Sequence, residues 1–194
     1  MKVNVVLAGV GGQGVVTMAR LLAGAALKEG LFVVQGELHG MSQRGGTVQA
    51  QLRFSDEPIE SPQVPEGRAD LVVAVEPLEA LRTAPWLRPG GHLVSAMRPF
   101  ENIGNYPPLD EVHAALRAIP TCILVDAYAI AKEAGSVRSV NFAVAGAALR
   151  FLPMSADSLR AAILEKATRW SDRDRDAAIA AVDAGLAVGE GATV

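Results

Sequence analysis

Cysteine is nearly absent from this sequence: Cys122 stands alone among 194 residues. A single thiol excludes an internal disulfide framework and a four-thiolate iron–sulfur cluster held by this chain alone. Aromatic residues are scarce as well, at 5%, while hydrophobic residues make up 50%. The apolar mass is therefore Ala, Val and Leu, the filling of a layered helix–sheet fold. No cluster of Lys or Arg occurs and the net charge is −3, which leaves no electrostatic footprint for nucleic acid. No stretch approaches the ~20 apolar residues that span a bilayer. The N-terminus has no basic region followed by a signal-type apolar core, so the expected compartment is the cytoplasm, without membrane contact. Three histidines and one cysteine give no metal-ligand spacing.

What is present reads as one α/β domain over residues 1–194, with a C-terminal helical part at about 139–188. A globule of this length buries roughly 70% of its unfolded surface and needs no staple. Val3–Ala8 is a β-branched run that stops at Gly9-Val10-Gly11-Gly12-Gln13-Gly14. A helix follows from Val15 to about Glu29, with Leu21, Leu22, Ala25 and Ala26 at helical spacing, and Gly30 offers a left-handed stop. Leu31–Gln35 is a second buried strand. Strand, glycine loop, helix and strand in this order favour a parallel sheet with a right-handed crossover. The fold class expected is Rossmann-like, a mostly parallel sheet flanked by helices.

Further along, Thr47–Phe54 alternates in polarity, as an antiparallel strand at the sheet edge would. Strands are expected at Leu71–Val75, His92–Ala96 and Thr121–Val125. Helices are expected from Pro77 to about Ala84, from Leu109 to Ala118, and after Asp126 to about Ala134. Three more begin near Ser139, Ser155 and Asp172; either Ser155 or Asp157 supplies a cap. Residues 185–194 read as a frayed end.

Gly9-x-Gly11-x-x-Gly14 follows a strand and opens a helix, the context in which missing Cβ atoms let a phosphate approach helix-terminal amides. A tight packing turn alone would use the same glycines. A dinucleotide site also requires an acid about 20 residues on. Glu37 is the one candidate, and it lies in a polar, glycine-bearing segment. Gln13 adds a long amide at the helix start, able to hydrogen-bond across a cleft or an interface.

That polar segment, His39-Gly40-Met41-Ser42-Gln43-Arg44-Gly45-Gly46, is the more informative one. An Arg beside paired glycines can hold its guanidinium against a phosphate or carboxylate while the backbone stays close. Ser42 and Gln43 add neutral donors and acceptors. A solvated turn with an ordinary surface Arg is the plainer reading.

Taken together, the two segments resemble the gamma-type domain of the 2-oxoacid:ferredoxin oxidoreductases. The His-Gly-Met-x-Gln-Arg-Gly-Gly form is similar to the beta-subunit type of the indolepyruvate branch, and the resemblance covers nearly the whole chain. It implies CoA-dependent oxidative decarboxylation of a 2-oxoacid, an arylpyruvate in that branch, to an acyl-CoA, carbon dioxide and reduced ferredoxin. It further implies that thiamine diphosphate and iron–sulfur clusters belong to a large alpha subunit, that coenzyme A is the co-substrate, and that this chain is inactive alone. The lone cysteine and the lack of a GDG-type thiamine motif agree with that division. Carried over by position, Gly11, Gly12, Gln13 and Gly14 form a first cofactor-binding or subunit-interface loop. Ser42, Gln43, Arg44, Gly45 and Gly46 form a second. Arg44 would meet a phosphate of coenzyme A, thiamine diphosphate or a partner carboxylate.

Two other readings stay open: the gamma subunit of a pyruvate or 2-oxoglutarate enzyme, and a free-standing NAD(P)-binding Rossmann protein. The remaining candidates are mostly structural. Glu37 and His39 are spaced as an acid/base pair but read first as loop or interface residues. Cys122 reads as a core residue, and His92 and His113 as ordinary. Asn141 reads first as a helix cap and second as facing a cleft. Trp86 and Trp170 are interface anchors or satellite core.

Overall fold

A computed structural model describes residues 1–39, 45–101 and 103–193. Six strands form one sheet: β1 (Lys2–Val10), β2 (Phe32–His39), β3 (Thr47–Ser55), β4 (Ala69–Ala74), β5 (Leu87–Ala96) and β6 (Cys122–Val125). Among the described residues seven α-helices surround it. These are α1 (Val15–Lys28), α2 (Pro77–Thr83), α3 (Leu109–Arg117), α4 (Ala127–Glu133), α5 (Val140–Ala148), α6 (Ala156–Lys166) and α7 (Asp172–Gly191). The strand order is β2-β3-β1-β4-β5-β6. Strands β1, β4, β5 and β6 run parallel, while β3 is antiparallel to both β1 and β2. The mostly parallel α/β sheet is as expected.

Its left half departs from expectation in three ways, with one cause. Strand β2 runs on to His39, so Gly36–His39, read as loop, is sheet. Strand β3 is antiparallel but sits inside the sheet, and β2 takes the edge. The crossover from β1 through α1 therefore leads to a strand that is not β1's neighbour. The cause is a hairpin: β2 and β3 pair from Phe32↔Ser55 to His39↔Val48. Its second arm then pairs with β1 from Lys2↔Ser55 to Val10↔Thr47. The alternation in β3 reflects its two faces, with Val48, Ala50, Leu52 and Phe54 packed into the larger core and Thr47, Gln49 and Arg53 on the more open side, and not an edge position.

The sheet divides the core. On one face Val5 and Leu7 of β1 meet α1, α5, α6 and α7. On the other, Val6 and Ala8 meet Ala80 of α2 and Val112 and Leu116 of α3. Burial on both faces explains why Val5–Val10 is uninterruptedly apolar apart from glycine. Truncating Leu7, fully buried, to Ala would cost about 2–5 kcal/mol.

Helix starts follow their local chemistry. The buried Glu76 carboxylate caps α2 by accepting from the Glu79 amide at 2.8 Å, with Pro77 at the first helical position. Ser155, not Asp157, caps α6, and Ser171 caps α7. The expected fraying from residue 185 is corrected: α7 continues to Gly191. A Cβ on Gly185 would lie 2.0 Å from the Ala143 carbonyl oxygen, and one on Gly146 would lie 2.1 Å from that of Val182. These glycines let α5 and α7 touch backbone to backbone.

Candidate functional site

The two glycine segments meet because the hairpin places them side by side. Where β3 lies along the end of β1, the Gly11 amide donates to the Gly46 carbonyl at 2.8 Å, and the Gly45 amide donates to the Gly11 carbonyl at 3.3 Å. Gly11 is buried and Gly12 exposed. Gly12 and Gly14 both adopt positive φ, at 104° and 81°, which side chains disfavour by about 1–2 kcal/mol. Ser42, Gln43 and Arg44 lie outside the described residues.

Gln13 does not reach outward. Its Oε1 accepts from the Val10 amide at 2.8 Å, and its Nε2 donates to the Val75 carbonyl at 3.3 Å. The amide thus fastens the end of β1 to the residue that follows β4, while still lining the cleft beside it.

That cleft has a volume of about 900 Å³ and opens at the carboxyl ends of β1, β4 and β5, where open α/β sheets bind ligands. Gly12, Gly14 and Thr17 at the start of α1 form one wall; Ser139, Asn141 and Phe142 at the start of α5 form another. Among the described residues neither helix start has a side-chain cap; a 3-10 turn at Val137–Ser139 leads into α5, while α1 begins directly at the cleft, where its first amides and dipole suit an anion. Arg98 and Arg138, both exposed, add two cations to the lining. The Arg98 guanidinium lies 3.9 Å from the Tyr128 ring centroid. Opposite, Trp170 packs edge-on to Phe142 at 5.7 Å. Phe100 and Val137 are exposed in the same lining.

Asn141 does not cap α5; Ser139 holds that position. Asn141 is only 4% exposed, and its Nδ2 donates to the Gly14 carbonyl at 3.3 Å. The expectation of a cap is corrected in favour of the cleft, because the residue falls inside the first turn and points its amide at the neighbouring helix start.

A smaller recess of about 520 Å³ lies on the other side of the first loop, between Gly11, Gly12, Val16, Arg20, Glu37 and Val48. Glu37 is engaged there: its Oε1 accepts from Gln35 Nε2 at 2.8 Å and lies 3.6 Å from Arg20 Nη2. Dinucleotide binding of the Rossmann kind requires the acid-bearing strand beside β1. Here β3 occupies that place, and Glu37 pairs with Ala50 one strand further out.

The other singled-out residues are structural. Burial pushes the Cys122 thiol up to about 11, which leaves it protonated and unreactive near neutrality. His113 Nε2 bonds the Met97 carbonyl at 2.8 Å. His92 stacks on Phe151 at 4.1 Å. Trp86 packs against the smaller core with Leu87 and Tyr106. Sequence reasoning missed Arg98, Tyr128 and Arg138, which fall in or beside segments read as irregular. The signal available was positional: Arg98 lies just past β5 and Tyr128 just past β6, at the carboxyl ends where such sites form.

The profile of the pyruvate ferredoxin/flavodoxin oxidoreductase family matches residues 4–188. The chain belongs to that family. Within it, the chain is 40% identical to indolepyruvate oxidoreductase subunit IorB of Archaeoglobus fulgidus, over 85% of this chain and 86% of the relative. It is 35% identical to the pyruvate/ketoisovalerate oxidoreductases common subunit gamma of Thermococcus kodakarensis, over 72% of each. The 2-oxoglutarate:ferredoxin oxidoreductase of Magnetococcus marinus, solved with 2-oxoglutarate, coenzyme A and succinyl-CoA, shares the fold. The TM-score is 0.78 at 22% identity, over 99% of this chain and 32% of that one. This member of the pyruvate ferredoxin/flavodoxin oxidoreductase family is thus homologous to small subunits of indolepyruvate oxidoreductase and related to gamma subunits of its sister enzymes. Among its described residues no helix is long and apolar enough to cross a membrane.

Proposed function

We propose that this chain, as one domain over residues 1–194, is the small subunit of a cytoplasmic indolepyruvate-type 2-oxoacid:ferredoxin oxidoreductase. The observation that carries the reading is the Gly11–Gly46 junction beside the carboxyl-end cleft. It gathers Gly11, Gly12, Gln13, Gly14, Gly45 and Gly46 at one rim, and Ser42, Gln43 and Arg44 belong to the same segment of sequence. In this reading the rim docks a large alpha subunit that holds thiamine diphosphate and the iron–sulfur clusters. That partner decarboxylates the 2-oxoacid, passes two electrons to two ferredoxins, and transfers the acyl group to coenzyme A.

The cleft fits the anionic part of coenzyme A. The start of α1 and two arginines suit its phosphates, and the Tyr128 and Trp170 rings suit a flat base. Gly12 is exposed and a Cβ there would meet nothing within 4 Å, which leaves its backbone open to close approach, whereas at Gly14 the Asn141 amide fills the space of a Cβ. The exposed Phe100 and Val137 extend an apolar rim toward the proposed partner.

A pyruvate-type gamma subunit is the second reading, favoured by the 35% identity to the common gamma subunit. Co-expression with the large subunit tests both. The purified complex is expected to turn over indolepyruvate faster than pyruvate, while this chain alone is inactive. Arg98→Ala with Arg138→Ala is expected to raise KM for coenzyme A about tenfold or more. Tight NAD binding by the chain alone, with reduction by a simple substrate, would overturn the proposal.

A further inference from the structure

The Asn141 side chain is buried, yet one of its two polar atoms has no hydrogen-bond partner among the described residues. Nδ2 donates to the Gly14 carbonyl. Oδ1 is shielded from solvent and has no hydrogen-bond partner among the described residues. Exchanging the two amide atoms would turn the oxygen toward the Gly14 carbonyl oxygen, so the orphan persists in the better orientation. An unsatisfied buried acceptor is costly, and each one in a folded protein calls for a specific explanation.

The surroundings supply that explanation. Asn141 forms part of the cleft wall together with Gly14, where the starts of α1 and α5 come together. The helix starts and the arginines all donate hydrogen bonds; the orphan oxygen is an acceptor set among them. A bare anion such as sulfate, which carries no O–H at neutral pH, would satisfy the donors and leave Oδ1 as it is. A ligand carrying an N–H or O–H next to its anion would satisfy both. The 3.3 Å bond to Gly14 is long, and the terminal torsion of an amide side chain is soft. A modest rotation therefore turns Oδ1 into the cleft.

We propose that Asn141 is a specificity-determining residue of the carboxyl-end cleft, its Oδ1 accepting a hydrogen bond from an N–H or O–H group beside the ligand's phosphate. This rests on the reading of the cleft as a coenzyme A site, where the donor comes from the pantetheine arm or from the adenosine. The residue then selects for a phosphorylated ligand with a neighbouring donor and against an anion that has none, such as sulfate.

Steady-state kinetics of the co-expressed complex test it, with Asn141→Leu, which keeps the side-chain size and removes the acceptor. Its KM for coenzyme A is expected to rise about five- to tenfold, more than any fall in kcat, while KM for the 2-oxoacid shifts less than twofold. Asn141→Ser, which retains a smaller acceptor, is expected to fall between and serves alone if the leucine variant does not assemble. Inhibition by 4′-phosphopantetheine locates the donor. A weakened inhibitor in the variant places it on the pantetheine arm, and an unchanged one places it on the adenosine. An unchanged KM for coenzyme A, or equal rises for both substrates, would overturn the inference. If Arg98→Ala and Arg138→Ala also leave that KM unchanged, the cleft reading itself fails; if they raise it and the Asn141 variants do not, only Asn141's role does.

Discussion

The buried Gly11 amide donates to the Gly46 carbonyl at 2.8 Å, joining two glycine segments that lie 35 positions apart in the sequence. Gly11→Pro deletes that donor and leaves the carbonyl without its partner. Stability is expected to fall by about 1–3 kcal/mol, read from urea denaturation. Yield of the complex with the large subunit should fall further than stability alone explains. Normal assembly at reduced stability would separate the junction from docking.

The contact between α5 and α7 predicts a sharp position dependence. Gly185→Ala drives a methyl against the Ala143 carbonyl, 2.0 Å away, and is expected to cost about 1–3 kcal/mol or more. Gly191→Ala, at the exposed end of the same helix, is expected to be neutral or slightly stabilising. Equal denaturation midpoints for the two variants would contradict backbone-to-backbone packing.

Glu29 ties the end of α1 to the start of α6. The Ser158 hydroxyl, then the Ser155 amide and hydroxyl, donate to it and hold its carboxyl down to about 2, from an ordinary 4.5. A carboxyl depressed in the folded state contributes stability that is complete above its unfolded value and is lost as pH falls through the folded one. The wild-type chain is therefore expected to lose stability between about pH 4.5 and 2. Glu29→Gln should be less stable at neutral pH and flatter across that window. Parallel acid titrations of the two proteins, followed by circular dichroism, provide the check.

His92 predicts an acid limb at higher pH. Burial first, then the charges of Arg150 and Arg88, lower its affinity for a proton, and its Nδ1 is buried without a partner among the described residues. A histidine depressed in the folded state takes up its proton more readily when unfolded. Stability is then whole above the ordinary value of 6.5 and declines as pH drops below it. His92→Phe keeps a ring on Phe151 and is expected to abolish that slope in melting temperature between pH 7 and 5.

Much of the fold was legible because its signals were local. Continuous apolar runs marked β1, β4 and β6, and Pro77 and Ser155 marked helix starts. Gly11, Gly12, Gln13 and Gly14 were likewise found from one short motif in its strand–helix context. What escaped was set by pairing. Nothing in Phe32–His39 says that its hairpin partner will separate it from β1, so the edge strand and Glu37 were misplaced. Residues 185–194 read as frayed because the backbone that Gly185 and Gly189 admit comes from α5, some forty residues earlier in the chain. Asn141 was drawn to capping by its residue type, and only the proximity of Gly14 shows another role. The arginines of the cleft come from separate connections that the parallel strands bring together.

The hairpin gives the sheet a ruler. Strand β3 is clamped by nine residue pairs to β1 and eight to β2, and a two-residue slip along it would carry Gly46 nearly 7 Å from Gly11 (~3.4 Å per residue). Because Gly45 and Gly46 are both hydrogen-bonded to Gly11, the register of this one strand decides whether the two glycine segments meet at all.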